Sequence, residues 1–191
     1  MNFSLKIDSI YVFIIFFIVS WSAVGSKKLP ITEFHKTLSL NNYRFIISTN
    51  SSGAVRQSIL EVYRDDESLI TLRQKIDGFI VDAQLADLDN DGSLEIYFYS
   101  CSYGTGSFGK VYGFQFFPNS FAPIKTEPLT KSEAKGYMGH DSFNVEGGFL
   151  MRRFPVYNAG DANAFPTGVK RLVRYKLVTT SDNKLILKSY F

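Results

Sequence analysis

Residues 86–117 read ADLDNDGSLEIYFYSCSYGTGSFGKVYGFQFF. Leu94, Ile96 and Phe98 alternate with Glu95, Tyr97 and Tyr99. That is the two-residue period of a β-strand, whose successive side chains point to opposite faces. A second strand-like run, FGKVYGFQFF, follows the glycine-serine stretch SYGTGSFGK. Two strands joined by a glycine-rich loop, with an aspartate-rich loop ahead of the first, set the pattern for the rest of the chain.

Outward from this hairpin the same pattern repeats. YRFIIST (residues 43–49) is strand-like and ends in the turn cluster NSSG. VRQSILEVYR (55–64) and SLITLRQK (68–75) flank DDE as a hairpin-like pair, and GFIVDAQLADL (78–88) runs into the aspartates. FLMRRFPVY (149–157), VKRLVRYKLVTT (169–180) and KLILKSYF (184–191) complete the strand candidates. The single helix candidate is TKSEAKGY (130–137), where Thr130 and Glu133 have capping-box spacing and Gly136 suits a C-terminal stop. Residues 26–41 read as an irregular lead-in. Aromatic residues make up 16% of the chain, which favours strands and packed sheets. The expected fold is all-β: one antiparallel β-sandwich-like domain with at most one short helix.

The N-terminus sets the expected compartment. Lys6 precedes the apolar run Ile10 to Val19, and Ala23 and Gly25 stand ahead of Ser26. A short apolar core followed by a small-x-small pattern reads as a secretory signal peptide over residues 1–25, leaving a mature domain at 26–191. The rival is an uncleaved anchor, but a spanning helix needs about 20 apolar residues and this run is shorter. The protein is therefore expected to be periplasmic or secreted, with no stable membrane anchor after cleavage. Cys101 is the only cysteine, so an internal disulfide is excluded.

The net charge is +3 and the isoelectric point is near 8.9, with the charges dispersed. In the densest basic stretch, VKRLVRYKL, cations largely alternate with apolar residues, as on the solvated face of a strand. No nucleic-acid motif accompanies it, so no nucleic-acid partner is expected. The sequence leaves a homodimer open.

Asp87, Asp89 and Asp91 alternate, Gly92 follows, and Glu95 lies four residues beyond Asp91. Calcium takes six to eight oxygen ligands, several of them carboxylate. Alternating acids in a tight loop can aim three carboxylates at one centre. An EF-hand would place a glutamate where Phe98 stands, so the better match is the calcium loop between strands of propeller blades. A single such loop excludes a propeller. The competing reading is a turn braced by aspartate side chains bonded to nearby backbone. Mutual repulsion among the carboxylates favours a cation, and these four residues are candidate calcium ligands.

Glycine-rich phosphate loops need a following helix N-terminus. A strand follows Gly109, which argues against nucleotide binding. In sequence order, DLDNDGSLEIYFY, GTGSFG, GYMGHDSF, RRFPVYNAGDANAFPTG and VRYKLV together resemble the periplasmic protein inhibitors of invertebrate-type lysozyme, over roughly residues 81–178. The resemblance implies a lysozyme partner, with an inhibitory loop entering the active-site cleft. The family's Ser-Gly-x-Tyr motif falls on Thr105, Gly106, Ser107 and Phe108, within a loop that also includes Tyr103 and Gly104. Thr105 keeps a hydroxyl, and Phe108 keeps a ring without the phenolic donor. A second family motif, Tyr-x-x-Gly-Asp, falls on Tyr157, Gly160 and Asp161, implying a second contact region near the first loop or in a cavity lining the interface; the competing reading is a turn braced by Asp161.

An enzyme reading has little to stand on. His140 is followed by Asp141 and Ser142, but no nucleophile elbow is present, and an adjacent His-Asp pair does not orient an imidazole as a triad does. A glycosidase needs two carboxylates across a cleft, whereas the acids here cluster in one loop. The expected function is an exported lysozyme inhibitor without catalytic residues. The alternative is a calcium-stabilised envelope binding or adhesion module.

Overall fold

The computed structural model describes residues 34–50 and 55–190. The expected signal peptide lies outside the described residues. The described chain is all-β, with twelve strands in two sheets. β1 (His35–Leu40), β2 (Tyr43–Asn50), β3 (Val55–Arg64) and β4 (Glu67–Asp77) form a four-stranded meander in that order. The second sheet has eight strands: β5 (Phe79–Ala86), β6 (Glu95–Cys101), β7 (Gly109–Phe117), β8 (Ser120–Thr126), β9 (Ser142–Glu146), β10 (Phe149–Pro155), β11 (Lys170–Thr179) and β12 (Leu185–Tyr190). Their spatial order is β5-β6-β7-β8-β12-β11-β10-β9.

Two apolar cores follow from the alternation. Phe45 pairs with Val62 and Ile47 with Leu60 across β2 and β3, so all four point the same way. They pack on Ile80, Ala83, Ile96, Phe98, Phe114 and Phe116 of the larger sheet. The register shift in β5 between Ile80 and Asp82 lets Ile80 and Ala83 both face this core while Val81 turns outward. The second core lies on the other face of the eight-stranded sheet. It gathers Tyr97, Tyr99, Ile124, Leu150, Phe154, Val173, Tyr175, Leu177 and Leu187. β6 therefore serves both cores: Ile96 and Phe98 face one, Tyr97 and Tyr99 the other.

The larger sheet curls until its edge strands meet. The Val145 N–H on β9 donates to Gln84 Oε1 on β5 at 2.8 Å, and Phe143 stacks on Tyr99 with ring centroids 5.5 Å apart. The result is a sandwich in which one layer is close to a barrel. On β11, Lys170, Arg174 and Lys176 are exposed while Val173, Tyr175 and Leu177 are buried. The basic stretch is thus the solvated face of a strand.

Three expectations need correction. The lead-in contains β1, a polar edge strand pinned by the Lys36–Asp82 ion pair at 2.5 Å. The helix candidate forms only one turn. Ala134 N–H donates to Thr130 O, and the Thr130–Glu133 capping bonds are made. Gly136, at φ +73°, then reverses the chain, and Arg171 takes the Glu133 and Lys135 carbonyls at 2.6 Å each. Finally, the sheet is not wholly antiparallel. β12 runs parallel to β8, with Leu185 opposite Ile124, because these neighbours are joined by a long excursion through β9, β10 and β11.

Candidate functional site

The loop between β6 and β7 is closed at its base and braced on both flanks. Ser102 N–H donates to Phe108 O, and Phe108 N–H to Ser102 Oγ, both at 2.9 Å. Ser107 holds a positive φ of 44°, and its hydroxyl donates to Gly104 O at 3.4 Å. On one flank the Tyr103 ring packs on Phe79 at 5.5 Å and beneath the Arg56 guanidinium at 5.7 Å. On the other, the Phe108 ring meets the edge of Tyr137 at 5.7 Å and covers Gly106, where a Cβ would strike the ring. Phe108 is 49% exposed, so it flanks the tip rather than filling the core. Thr105 and Gly104 are exposed at the tip.

Segments distant in sequence hold the tip. His140 N–H donates to Gly106 O at 2.9 Å and Ser107 O at 3.2 Å. Asn163 Nδ2 donates to Thr105 O at 2.6 Å. At the base, Gly109 N–H donates to the buried Asp141 carboxylate at 2.7 Å. The other Asp141 oxygen pairs with Arg152 Nε at 2.7 Å, and Tyr137 Oη bridges the two groups. A buried ion pair is tolerable when its hydrogen-bonding capacity is filled, and here the set is shared among loop, turn and β10. Asp141 beside the Tyr137 hydroxyl adds to the effect of burial and holds that phenol above its usual range.

The second motif lies beside the first, with its side chains turned inward. Tyr157 is buried, and its hydroxyl donates to Asn163 O at 2.8 Å. Asp161 accepts from Asn158 N–H at 2.7 Å, Thr167 N–H at 2.8 Å and Thr167 Oγ1 at 2.8 Å. Those backbone donors hold the Asp161 carboxyl below its ordinary range. Gly160, at φ +89°, makes the turn. These residues build the 157–168 loop, and that loop supplies the Asn163 bond to Thr105. The sequence had not singled out Asn163, Gly139 or Asp141 for this role, because their partners lie far away along the chain.

The aspartate loop sits at the opposite end of β6. Asp87 accepts from Asp91 N–H and Gly92 N–H, each at 3.1 Å, and Asp91 accepts from Ser93 N–H at 2.7 Å and Gln115 Nε2 at 3.0 Å. Asp87, Asp89, Asp91 and Glu95 each bring a carboxylate oxygen within 4.8 Å of the others, a group that could hold a metal ion. Glu95 is fully buried. Its Oε2 accepts from Leu88 N–H at 2.8 Å, while its Oε1 is buried without a hydrogen-bond partner. Burial, against the Leu88 bond and with help from the three aspartates, pushes the Glu95 carboxyl up to about 8. Asp89 is also raised, by burial and by Asp91.

His140 is exposed, with its ring stacked on Tyr157 at 6.4 Å, and Ser142 Oγ makes only a long bond of 3.5 Å to Arg153 O. Cys101 is half-buried at the end of β6. Neither a known protein family nor a curated protein matches the chain.

Proposed function

We propose that this protein is an exported inhibitor of lysozyme that blocks the glycan-binding cleft with residues 103–108. The observation that carries the reading is the bracing of one exposed loop by two remote segments: Asn163 on Thr105, and the 140–141 turn, with His140 on Gly106 and Ser107 and Asp141 on Gly109 at the base. A loop ordered before binding loses little conformational entropy on docking, which favours a steric plug. The Thr105 hydroxyl would donate to the catalytic carboxylates of the enzyme, Ser107 would exchange its long 3.4 Å bond to Gly104 O for one to the same groups, and Phe108 would lie along the cleft. The sequence resemblance supplies the partner class, and the signal-like N-terminus supplies the periplasmic or secreted location. The test is inhibition of invertebrate-, chicken- and goose-type lysozymes by the mature chain. No inhibition of any at micromolar concentration overturns the reading.

A second reading concerns the aspartate loop, and Glu95 favours it. A buried carboxylate oxygen without a partner costs free energy unless a cation or proton meets it. Four carboxylates and no thiol or imidazole make a hard-oxygen site, the chemistry of calcium. The ion would be structural, tying the β5–β6 turn to β7 through Asp91 and Gln115. A calcium-stabilised envelope binding module without inhibitory activity is the alternative function. Failure of the inhibition assay together with a calcium-dependent melting temperature would favour it.

A further inference from the structure

The loop from Tyr103 to Phe108 is too small to form a stable complex alone. Specific interfaces bury about 800 Å² per partner and engage about 20–30 residues on each side. Contact must therefore spread onto neighbouring surface. The second motif was expected to supply it, but Tyr157 is buried and both oxygens of Asp161 are engaged within their own loop. What that loop turns outward is Phe165, 76% exposed, with Val169 beyond it at 80%. Met138, 43% exposed, is adjacent in the chain to Gly139, which lies against Gly106.

A large apolar side chain exposed on a loop that is bonded to a braced tip marks a contact surface. Phe165 is also held in place. Its N–H donates to Ala162 O at 2.9 Å, and Asn163, two residues earlier, is bonded to Thr105. An aromatic ring on an ordered loop brings large contact area at low entropic cost, which is why such residues dominate binding energy.

We infer that Phe165 is the second anchor of the interface, docking on the apolar, sugar-stacking wall of the same lysozyme cleft that receives the 103–108 loop. The inference rests on the inhibitor reading. Tyr157, Gly160 and Asp161 are then scaffold that presents Phe165, and Asn163 fixes the spacing between the two anchors. Val169 and Met138 form the apolar rim.

The experiment compares wild type, Phe165→Ala, Thr105→Ala with Ser107→Ala, and Phe117→Ala. Phe117 is 39% exposed at the far end of β7 and serves as control. Inhibition constants and melting temperatures are measured for all four, and hydrogen exchange is measured with and without the inhibited lysozyme. Expected for Phe165→Ala is a loss of inhibition of about ten-fold or more, the range of an anchor residue, with an unchanged melting temperature. Phe117→Ala should match wild type, and amides of residues 163–169 should gain protection together with those of 103–108. If Phe165→Ala inhibits like wild type while the Thr105/Ser107 variant does not, Phe165 is no anchor and the inhibitor reading stands. If 163–169 stay unprotected in a complex that protects 103–108, the inference is likewise overturned. A wild type that inhibits nothing overturns both.

Discussion

Gly139 lies against the backbone carbonyl of Gly106, so close that a Cβ on Gly139 would overlap that oxygen. Gly139 also holds φ +94°, a conformation costly for any residue with a side chain. Gly139→Ala therefore attacks both the turn and the loop it supports. We expect a loss of about 1–3 kcal/mol, read as a melting temperature lower by about 2–4 °C per kcal/mol. Inhibition should weaken further than stability does, because His140 can no longer donate to Gly106 and Ser107.

Asn163→Ala removes one bond to Thr105 O. That carbonyl is at the surface and can turn to water, so the stability change should stay within about 0.5–1.5 kcal/mol. The loop, however, loses its tether. Amide exchange at Gly106 and Ser107 should accelerate, and the association rate with the target should fall. Unchanged exchange at both amides would show that the tether does not order the tip.

Phe108→Tyr restores a phenolic hydroxyl to the loop. Because the ring is half-exposed, the new group reaches solvent, and the melting temperature should hardly move. If the target offers an acceptor, inhibition should strengthen by about 0.5–1.5 kcal/mol, the net contribution of one hydrogen bond. A large fall in melting temperature with unchanged inhibition would mean that the para position of the ring is buried and that Phe108 has no part in contact.

Glu95 predicts a pH dependence of stability that calcium removes. Its carboxyl is pushed up to about 8 in the folded chain, above the ordinary value of 4.5. Between those values the native state binds the proton that the unfolded state has lost, so metal-free stability falls as pH rises through that window and levels off above it. Calcium binds the deprotonated carboxylate and should abolish the fall. The check is melting temperature from pH 5 to 8 in chelator and in excess calcium. Glu95→Gln should flatten the metal-free profile.

Asp89→Ala tests the same site from its rim. Calcium should raise the melting temperature of the wild type by linkage and leave this variant unmoved. Inhibition should be nearly indifferent, since β6 separates the aspartate loop from the tip by its full length. A calcium effect that survives Asp89→Ala would place the ion elsewhere.

The strands that carry buried residues on alternate positions were legible in the sequence, and β3 matches the VRQSILEVYR reading from end to end. β1, β8 and β9 were not. β1 is a polar edge strand, β8 carries Pro123, and β9 has five residues, so none presents a long apolar alternation. The turn at Thr130 kept its capping bonds, but a local signal could not reveal that Arg171 takes two of its carbonyls. The aspartate cluster was legible because its members are neighbours in the chain. The burial of Glu95 was not, because its face of β6, shared with Tyr97 and Tyr99, is covered only once the larger sheet has curled around the second core. For the loop, glycine spacing located the tip, whereas Asn163, Gly139 and Asp141 reach it through tertiary structure alone.

β12 stands between β8 and β11, so the last strand in sequence is an interior member of its sheet. Until residues 185–190 have been synthesised, β8 and β11 expose unpaired backbone and the second core lacks Leu185 and Leu187. The eight-stranded layer is therefore joined across its middle only when β12 docks, and a variant lacking residues 185–190 would split it into two separate groups of strands.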